Sequence, residues 1–130
     1  MILLDTHIWY WWVNEPARLS AKHVQHLKDH ESTGLGVSVI SCWEIAKKVS
    51  LKRLKLSKPV SEWIAEALAY PGIQLIGLTP DIAIEANQLP GTFHRDPADQ
   101  LLVATARTLN ISMLTADAKI LSYPHVGLLT

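Results

Sequence analysis

The sequence predicts an α/β fold with a mostly parallel central sheet and helices on both faces, in one domain spanning residues 1–130. Two observations lead to this fold class. Short apolar runs typical of buried strands alternate with amphipathic helical segments, and Gly, Pro or helix-capping residues separate them. Strands that alternate with helices are joined by right-handed crossovers, which make the sheet parallel and cover both of its faces. A chain of 130 residues, 48% of them hydrophobic, suits a single core.

Five segments are predicted to be strands, because each is rich in aliphatic or β-branched residues. The first run, Ile2-Leu3-Leu4, ends at Asp5, and the second follows a turn predicted at Gly34-Leu35-Gly36. The predicted strands are residues 2–4, 37–40, 73–78, 111–114 and 126–129.

Capping residues and prolines mark the helices between these strands. The clearest start is Asp96-Pro97, because Asp is a good N-cap and the first helical residue does not need the N–H that Pro lacks. Ser41-Cys42-Trp43-Glu44 matches a capping box, and Asn110 is a predicted C-cap. The predicted helices run up to Pro16, over residues 21–29, 41–49, 59–70, 79–88 and 96–110, and briefly after Asp117.

Charge and composition exclude several classes of protein. The formal net charge of zero excludes a generally basic coat for nucleic acid, although a local patch is compatible with it. The single cysteine, Cys42, cannot form an internal disulfide, and the N-terminal residues lack the basic region of a secretory signal. No apolar run approaches the roughly 18 residues of a membrane helix. We therefore expect a cytoplasmic protein with no membrane partner.

Acidic residues follow predicted strands or open predicted helices. Asp5 comes directly after the first strand, Glu44 follows the second within one helical turn, and Asp117 follows the fourth. Asp96 and Asp99 open the helix described above. In a parallel sheet the carboxyl ends of strands and the N-termini of helices share one edge, where ligands bind. The five carboxylates are therefore expected to converge.

Convergence of carboxylates needs a compensating interaction. Two unit charges ~4 Å apart repel by about 4 kcal/mol at an effective dielectric of 20. Helix capping does not require the acids to meet, so either some are protonated with raised pKa values or a divalent cation lies between them. Oxygen ligands with only His94 nearby favour Mg²⁺ or Mn²⁺ over zinc. Such a site activates water and stabilises charge on a phosphodiester oxygen.

Two threonines lie beside these acids in the sequence. Thr6 follows Asp5, and Thr115 precedes Asp117 by two residues. They either orient a ligand or a water molecule, or serve as ordinary helix N-caps.

Four motifs, in this order, resemble those of PIN-domain proteins, most closely the small VapC-like toxins of bacterial toxin–antitoxin pairs. The likeness spans nearly the whole chain. The motifs are Leu3-Leu4-Asp5-Thr6, Ser38-x-x-Ser41-x-x-Glu44, His94-Arg95-Asp96-Pro97-Ala98-Asp99-Gln100-Leu101-Leu102 and Leu114-Thr115-Ala116-Asp117.

The resemblance implies a three-layer PIN-like fold and a metal-dependent endoribonuclease, usually a homodimer, that a cognate antitoxin inhibits. It assigns the family's acidic quartet to Asp5, Glu44, Asp99 and Asp117, with Asp96 as a fifth ligand or as the cap that aims Asp99. The quartet would hold one or two Mg²⁺ or Mn²⁺ ions, and a metal-activated water would attack the RNA phosphodiester. One position departs from the pattern: Gln100 stands where a basic residue is common, which would weaken one phosphate contact.

Basic residues near Glu44 are candidates for contact with the RNA backbone. They alternatively form a solvated face whose aliphatic stems lie on the core. The candidates are Lys47, Lys48, Lys52, Arg53 and, beside the acidic helix start, Arg95.

The aromatic run Trp9-Tyr10-Trp11-Trp12 points to an interface, because one helix cannot bury four consecutive large rings in one core. At least one ring is expected to face outward, as part of a dimer or antitoxin surface. Alternatively, Trp9 and Trp12 fill the core while the other rings lie flat on the surface, and base stacking is a further option.

Three other functions use some of the same residue types. A haloacid-dehalogenase-type phosphatase needs a second Asp two residues after the first, where this chain has His7. A response-regulator receiver needs paired acids near its first strand and a Lys after its last, and neither is evident. A non-catalytic PIN-like module that binds RNA or protein stays open as the alternative, because a complete set of ligands does not prove turnover.

Overall fold

Four parallel strands form the central sheet of the computed structural model, which describes residues 1–130. The strands are β1 (Ile2–Leu4), β2 (Leu35–Ser38), β3 (Ile73–Ile76) and β4 (Ser112–Leu114). Their spatial order is β3-β2-β1-β4, and every pairing is parallel. The sheet is therefore entirely parallel, and the predicted fold class is confirmed.

Seven α-helices connect and follow the strands, with a 3₁₀ turn at Pro16–Arg18. The capping chemistry of the longest helix is as predicted, since the Asp96 side chain accepts from the Asp99 N–H at 3.1 Å and Asn110 ends the helix at φ 53°. No helix has the length and apolar character to cross a bilayer. The helices are α1 (Thr6–Asn14), α2 (Ala21–His30), α3 (Val39–Ser50), α4 (Val60–Leu68), α5 (Pro80–Ala86), α6 (Pro97–Leu109) and α7 (Ala118–Leu121).

Side chains that alternate along β1 contribute to both faces of the sheet. Ile2 and Leu4 point into a core shared with α1, α2, α3 and α4, which contains the fully buried Trp9. Leu3 points into a second core with α6 and α7. The structure thus has three layers, helix–sheet–helix, and β1 lies in the middle of it.

The predicted boundary between the second strand and its helix is wrong. The strand begins at Leu35 rather than residue 37, and the helix begins at Val39 rather than at Ser41. Ser38 is the true N-cap, because its hydroxyl accepts from the Ile40 N–H at 3.1 Å. Gly36, predicted in a turn, pairs with Leu3 instead, and a Cβ there would approach the Ile76 Cδ1 to 2.6 Å. Ser41 is therefore released from capping and lies buried.

The predicted strand at residues 126–129 is also wrong, because only a single bridge, Met113 to Leu128, joins this segment to β4. Pro124 lies just before the segment and Gly127 lies within it, and neither residue favours a regular strand. Two smaller differences are that β3 ends at Ile76, just before Gly77, and that α5 ends at Ala86.

The aromatic run on α1 is largely internal. Trp9 is fully buried, and its indole Nε1 donates to the Ala67 carbonyl at 3.3 Å. Tyr10, Trp11 and Trp12 are half-buried and pack against the same core. None of the four rings faces fully outward, so the expectation of an exposed ring in this run is wrong.

Candidate active site

Asp5 lies at the carboxyl end of β1 and is the N-cap of α1. Only 3% of its surface is exposed. One carboxylate oxygen accepts from the Thr6 backbone N–H at 2.7 Å, and the other accepts from the Thr115 hydroxyl at 2.7 Å. A buried carboxylate is tolerated when donors satisfy its oxygens, and here both oxygens are satisfied by the protein itself.

Thr115 links Asp5 to the turn between β4 and α7. Its hydroxyl donates to Asp5 and accepts from the Asp117 N–H at 2.9 Å. Asp117 then caps α7 by accepting from the Lys119 N–H at 2.8 Å. The hydroxyl of Thr115 therefore fixes two of the predicted site residues, Asp5 and Asp117, relative to each other.

Thr6 plays the corresponding part on the side of α3. Its hydroxyl donates to the Glu44 Oε1 at 2.5 Å and lies 2.7 Å from the Ser41 Oγ. Since Thr6 gives its one hydroxyl proton to Glu44, Ser41 is the donor in the second bond. Neither Thr6 nor Thr115 is a helix N-cap, so that interpretation of the two threonines is wrong.

Asp99 lies in the first turn of α6, where its backbone N–H donates to the side chain of the N-cap Asp96. Its carboxylate Oδ2 lies 2.7 Å from the His94 Nε2, which donates to it. The loop before the helix is tied down as well, because the Gln100 side-chain amide donates to the His94 carbonyl at 3.0 Å. Gln100 thus has a local structural partner at the position where the family often has a basic residue.

His7 forms a further link at the buried end of the site. Its Nε2 accepts from the Ala116 N–H at 2.9 Å, which places the ring proton on Nδ1, 3.7 Å from the Asp5 Oδ2. Burial lowers the pKa of His7, although the charges of Asp5 and Asp117 act in the opposite direction. The ring is therefore neutral at pH 7 and connects α1 to the turn that carries Asp117.

The carboxylates act on one another electrostatically. Burial raises the pKa of Glu44 to about 7, with the charges of Asp5 and Asp99 adding to the effect and the Thr6 hydrogen bond opposing it. Burial also raises the pKa of Asp99, with further contributions from Asp5, Asp96 and Asp117 and an opposing one from His94. The structure therefore brings all five predicted acids to one edge of the sheet.

This donor set suits a hard divalent cation, because it consists of carboxylate oxygens whose mutual repulsion a positive charge would relieve. No group of three or more His, Cys, Asp or Glu side chains is closely enough arranged to form a ready-made metal site. The side chains thus lie within electrostatic reach of each other without closing around one point.

Three of the five candidate RNA-contacting residues lie beside the acids. Lys47, Lys48 and Arg53 line a groove of about 250 Å³ that also contains Glu44 and Asp96. Lys52, in contrast, lines a separate pocket toward α4. Arg95 is exposed in the loop before α6.

Three residues have contacts here that the sequence did not assign to them. Ser41 and His94 belong to the family motifs, but Ser41 was predicted as a cap and His94 only as a nearby nitrogen, while His7 served only to exclude another enzyme class. The signal for the two histidines is their spacing, with His7 two residues after Asp5 and His94 five before Asp99.

Comparisons with known proteins agree with this geometry. The family model described as "PIN domain" matches residues 2–126. The chain belongs to the PIN domain family. The chain is similar to Ribonuclease VapC22 of Mycobacterium tuberculosis, with 36% identity over 124 residues, which are 95% of this chain and 92% of the relative.

Solved structures share the PIN fold with low sequence identity. VapBC2 from Rickettsia felis, bound to a DNA fragment from its promoter, superposes with a TM-score of 0.73 at 17% identity, covering 98% of this chain and 97% of that one. FitAcB from Neisseria gonorrhoeae gives a TM-score of 0.70 at 21% identity, covering 100% and 97%. At these identities the likeness establishes the fold alone.

Proposed function

We propose that this PIN-domain chain is a metal-dependent endoribonuclease, the toxin of a toxin–antitoxin pair, and that it cleaves RNA phosphodiester bonds. The observation that carries the proposal is the set of carboxylates at the carboxyl edge of the sheet, where Glu44 has a pKa of about 7. The relative named a ribonuclease, which matches 95% of this chain, supports the same activity.

In this proposal Asp5, Glu44, Asp99 and Asp117 hold one or two Mg²⁺ or Mn²⁺ ions, and Asp96 serves as a further ligand or only as the cap that aims Asp99. When bound, such an ion supplies Lewis-acid stabilisation of phosphate charge and lowers the pKa of water. The chain's own contribution is orientation: Thr115 holds Asp5, Thr6 holds Glu44 and His94 holds Asp99. No protein nucleophile is required.

The proposed partners are the RNA substrate, a cognate antitoxin protein and a second copy of this chain. The solved structures of similar fold include a toxin–antitoxin complex from Klebsiella pneumoniae, which supports an antitoxin partner. The proposed compartment is the cytoplasm, since the only cysteine, Cys42, is free and suits a reducing environment.

The test is cleavage of labelled RNA by purified protein with Mg²⁺, with Mn²⁺ and with excess chelator. We expect Asp5→Asn and Asp99→Asn to slow cleavage by at least about 100-fold, because a lost ligand removes several kcal/mol of transition-state stabilisation and each 1.36 kcal/mol is about tenfold. Asp81→Asn is the matched control, since Asp81 is an exposed carboxylate in the first turn of α5.

Binding of Mn²⁺, followed by its electron paramagnetic resonance signal, gives a readout independent of turnover. We expect it to weaken in the Asp5→Asn and Asp99→Asn variants and to be unchanged in Asp81→Asn. Cleavage by Asp5→Asn at the wild-type rate in the same buffer would contradict the proposal. RNA binding without any metal-dependent cleavage by the wild-type chain would favour the non-catalytic binding module instead.

A further inference from the structure

One face of α3 carries an exposed aromatic ring beside the carboxylates. Trp43 is 55% exposed, and Lys47 and Leu51 follow it at spacings of four residues, so the three lie along one side of the helix. They line the groove of about 250 Å³ described above, which also contains Glu44 and Asp96. An apolar ring thus lies at the entrance to the site.

Trp43 differs from the other four tryptophans. The indole N–H groups of Trp9 and Trp63 donate to the Ala67 carbonyl and to the Asn14 side chain. Trp11 and Trp12 pack against other rings of the fold, at 4.8 Å from His7 and 5.3 Å from Tyr70. Trp43 has no aromatic neighbour and no hydrogen-bond partner within the chain. Its ring is therefore available to stack on a ring of another molecule.

The charged side chains around Trp43 are predominantly positive, and the positive ones form no ion pairs. Lys47, Lys48 and Arg53 line the groove, and none has a carboxylate oxygen within 4.0 Å. An apolar protein surface covering the groove would desolvate these cations without pairing them. A polyanion would instead gain from all three, since phosphates are neutralised without regard to sequence.

We propose that this groove binds the single-stranded RNA next to the cleaved bond, with Trp43 stacked on a base and the three cations on the backbone phosphates. The inference rests on the proposed ribonuclease function and adds a residue that determines substrate form. Every base has a face on which an aromatic ring stacks, so Trp43 selects unpaired nucleotides rather than a particular base. The bases of a duplex are already stacked on one another, so a duplex gains nothing from Trp43.

The test separates binding from cleavage by using the Asp5→Asn background with chelator present. The affinity of a fluorescein-labelled single-stranded RNA oligonucleotide is measured by anisotropy over a range of salt concentrations. We expect Trp43→Ala to weaken binding by about 5- to 150-fold, the range produced by losing one aromatic–base stack, and Trp43→Phe to restore most of it. Leu75→Ala is the matched control, because Leu75 is 56% exposed on β3.

The salt dependence distinguishes the aromatic from the basic residues. Each of Lys47→Gln, Lys48→Gln and Arg53→Gln is expected to reduce the slope of log affinity against log salt by about 0.7, because each removes one phosphate contact to a single strand. Trp43→Ala is expected to leave that slope unchanged. Duplex RNA of the same sequence should bind Trp43→Ala and the parent equally.

Two outcomes overturn the inference: unchanged affinity in Trp43→Ala, and absence of RNA binding in every variant. If the affinity is unchanged, a change from dimer to monomer on sedimentation of Trp43→Ala would assign the ring to a second copy of the chain. Trp43-dependent RNA binding in a wild-type chain that does not cleave RNA would support this inference while contradicting the proposed catalysis.

Discussion

The two halves of the acidic site are built differently. Around Asp5 both carboxylate oxygens have protein donors, and the side chain is almost completely buried. Around Glu44 and Asp99 each carboxylate has a single side-chain donor, Thr6 or His94, and the pKa of each is raised. The first half is satisfied by the fold, whereas the second is left with charge that only a proton or an external cation balances.

This difference indicates a division of labour. The Asp5 half is fixed before any ligand arrives, because breaking its hydrogen bonds would strand a buried carboxylate. In the proposed function the Glu44 and Asp99 half would respond to the ligand, because a cation bound there would remove repulsion that the free protein carries. The predictions below test this contrast, from the largest expected effect to the smallest.

Thr115→Val should cause the largest loss of activity and stability, because it disrupts the Asp5 half of the site. The variant keeps the shape of the side chain but removes the hydroxyl that donates to Asp5 and accepts from the Asp117 N–H. We expect activity to fall by about 10- to 100-fold, as when a metal ligand loses its supporting hydrogen bond, and stability to fall by about 1–3 kcal/mol. Urea unfolding and RNA cleavage measure the two effects.

Thr92→Val is the control for this prediction, because Thr92 is exposed in the loop before α6. If Thr115→Val matched the control in both measurements, the Asp5 half would not be fixed by this hydroxyl.

His94→Ala should have a smaller effect, confined to the half of the site that contains Glu44 and Asp99. The hydrogen bond from His94 lowers the pKa of Asp99, so its loss raises that pKa further and removes the donor that orients the carboxylate. We expect a loss of about tenfold in activity and in Mn²⁺ affinity, greater at low pH than at high pH, because outer ligands of this kind contribute about 10- to 100-fold. The pH profile of cleavage is the measurement.

His94→Gln keeps a donor and should recover most of the activity, while His125→Ala, in an exposed position near the C-terminus, serves as the control. A pH-independent loss in His94→Ala would mean that the ring acts in some other way than through the ionisation of Asp99.

The contribution of Glu44 to the stability of the metal-free protein should grow as the pH falls from about 8 to about 5, whereas the lowered pKa of His7 acts in the opposite direction at the acidic end of this range. The pKa of Glu44 is about 7 in the fold against 4.5 for an ordinary Glu, so over this range the folded chain takes up a proton that the unfolded chain does not. Proton uptake by the folded state raises the free energy of unfolding. Glu44→Gln should flatten the profile and melt a few degrees higher at pH 8, which thermal melts in chelator will measure.

Glu62→Gln is the control, since Glu62 is exposed in the first turn of α4. An equally steep profile in Glu44→Gln would show that repulsion at this carboxyl does not set the stability of the free protein.

Much of the fold was accessible from the sequence, because local signals and the global topology agree. The start of α6 at Asp96-Pro97 and its end at Asn110 were predicted from capping chemistry, and both are confirmed. The parallel sheet followed from the alternation of strands and helices. The family resemblance, read from the four motifs, is likewise confirmed by the match over residues 2–126.

The errors occurred where two local signals competed. Ser38 and Ser41 are both acceptable N-caps, and only the pairing of Gly36 with β1 decides that Ser38 caps the helix. The last predicted strand failed because one bridge to Met113 is all that its Pro- and Gly-containing sequence supports. The outward ring was expected on α1, whereas the exposed tryptophan is on α3.

The sequence alone determined which residue types were available and where they enter the fold: acids at strand ends and helix starts, in an order typical of one family. Tertiary structure decided which of them are satisfied. Hydrogen bonds such as Thr115 to Asp5 and Thr6 to Glu44 join residues 110 and 38 positions apart. Local propensity acts over a few residues, while burial and charge depend on what the folded chain places around each group.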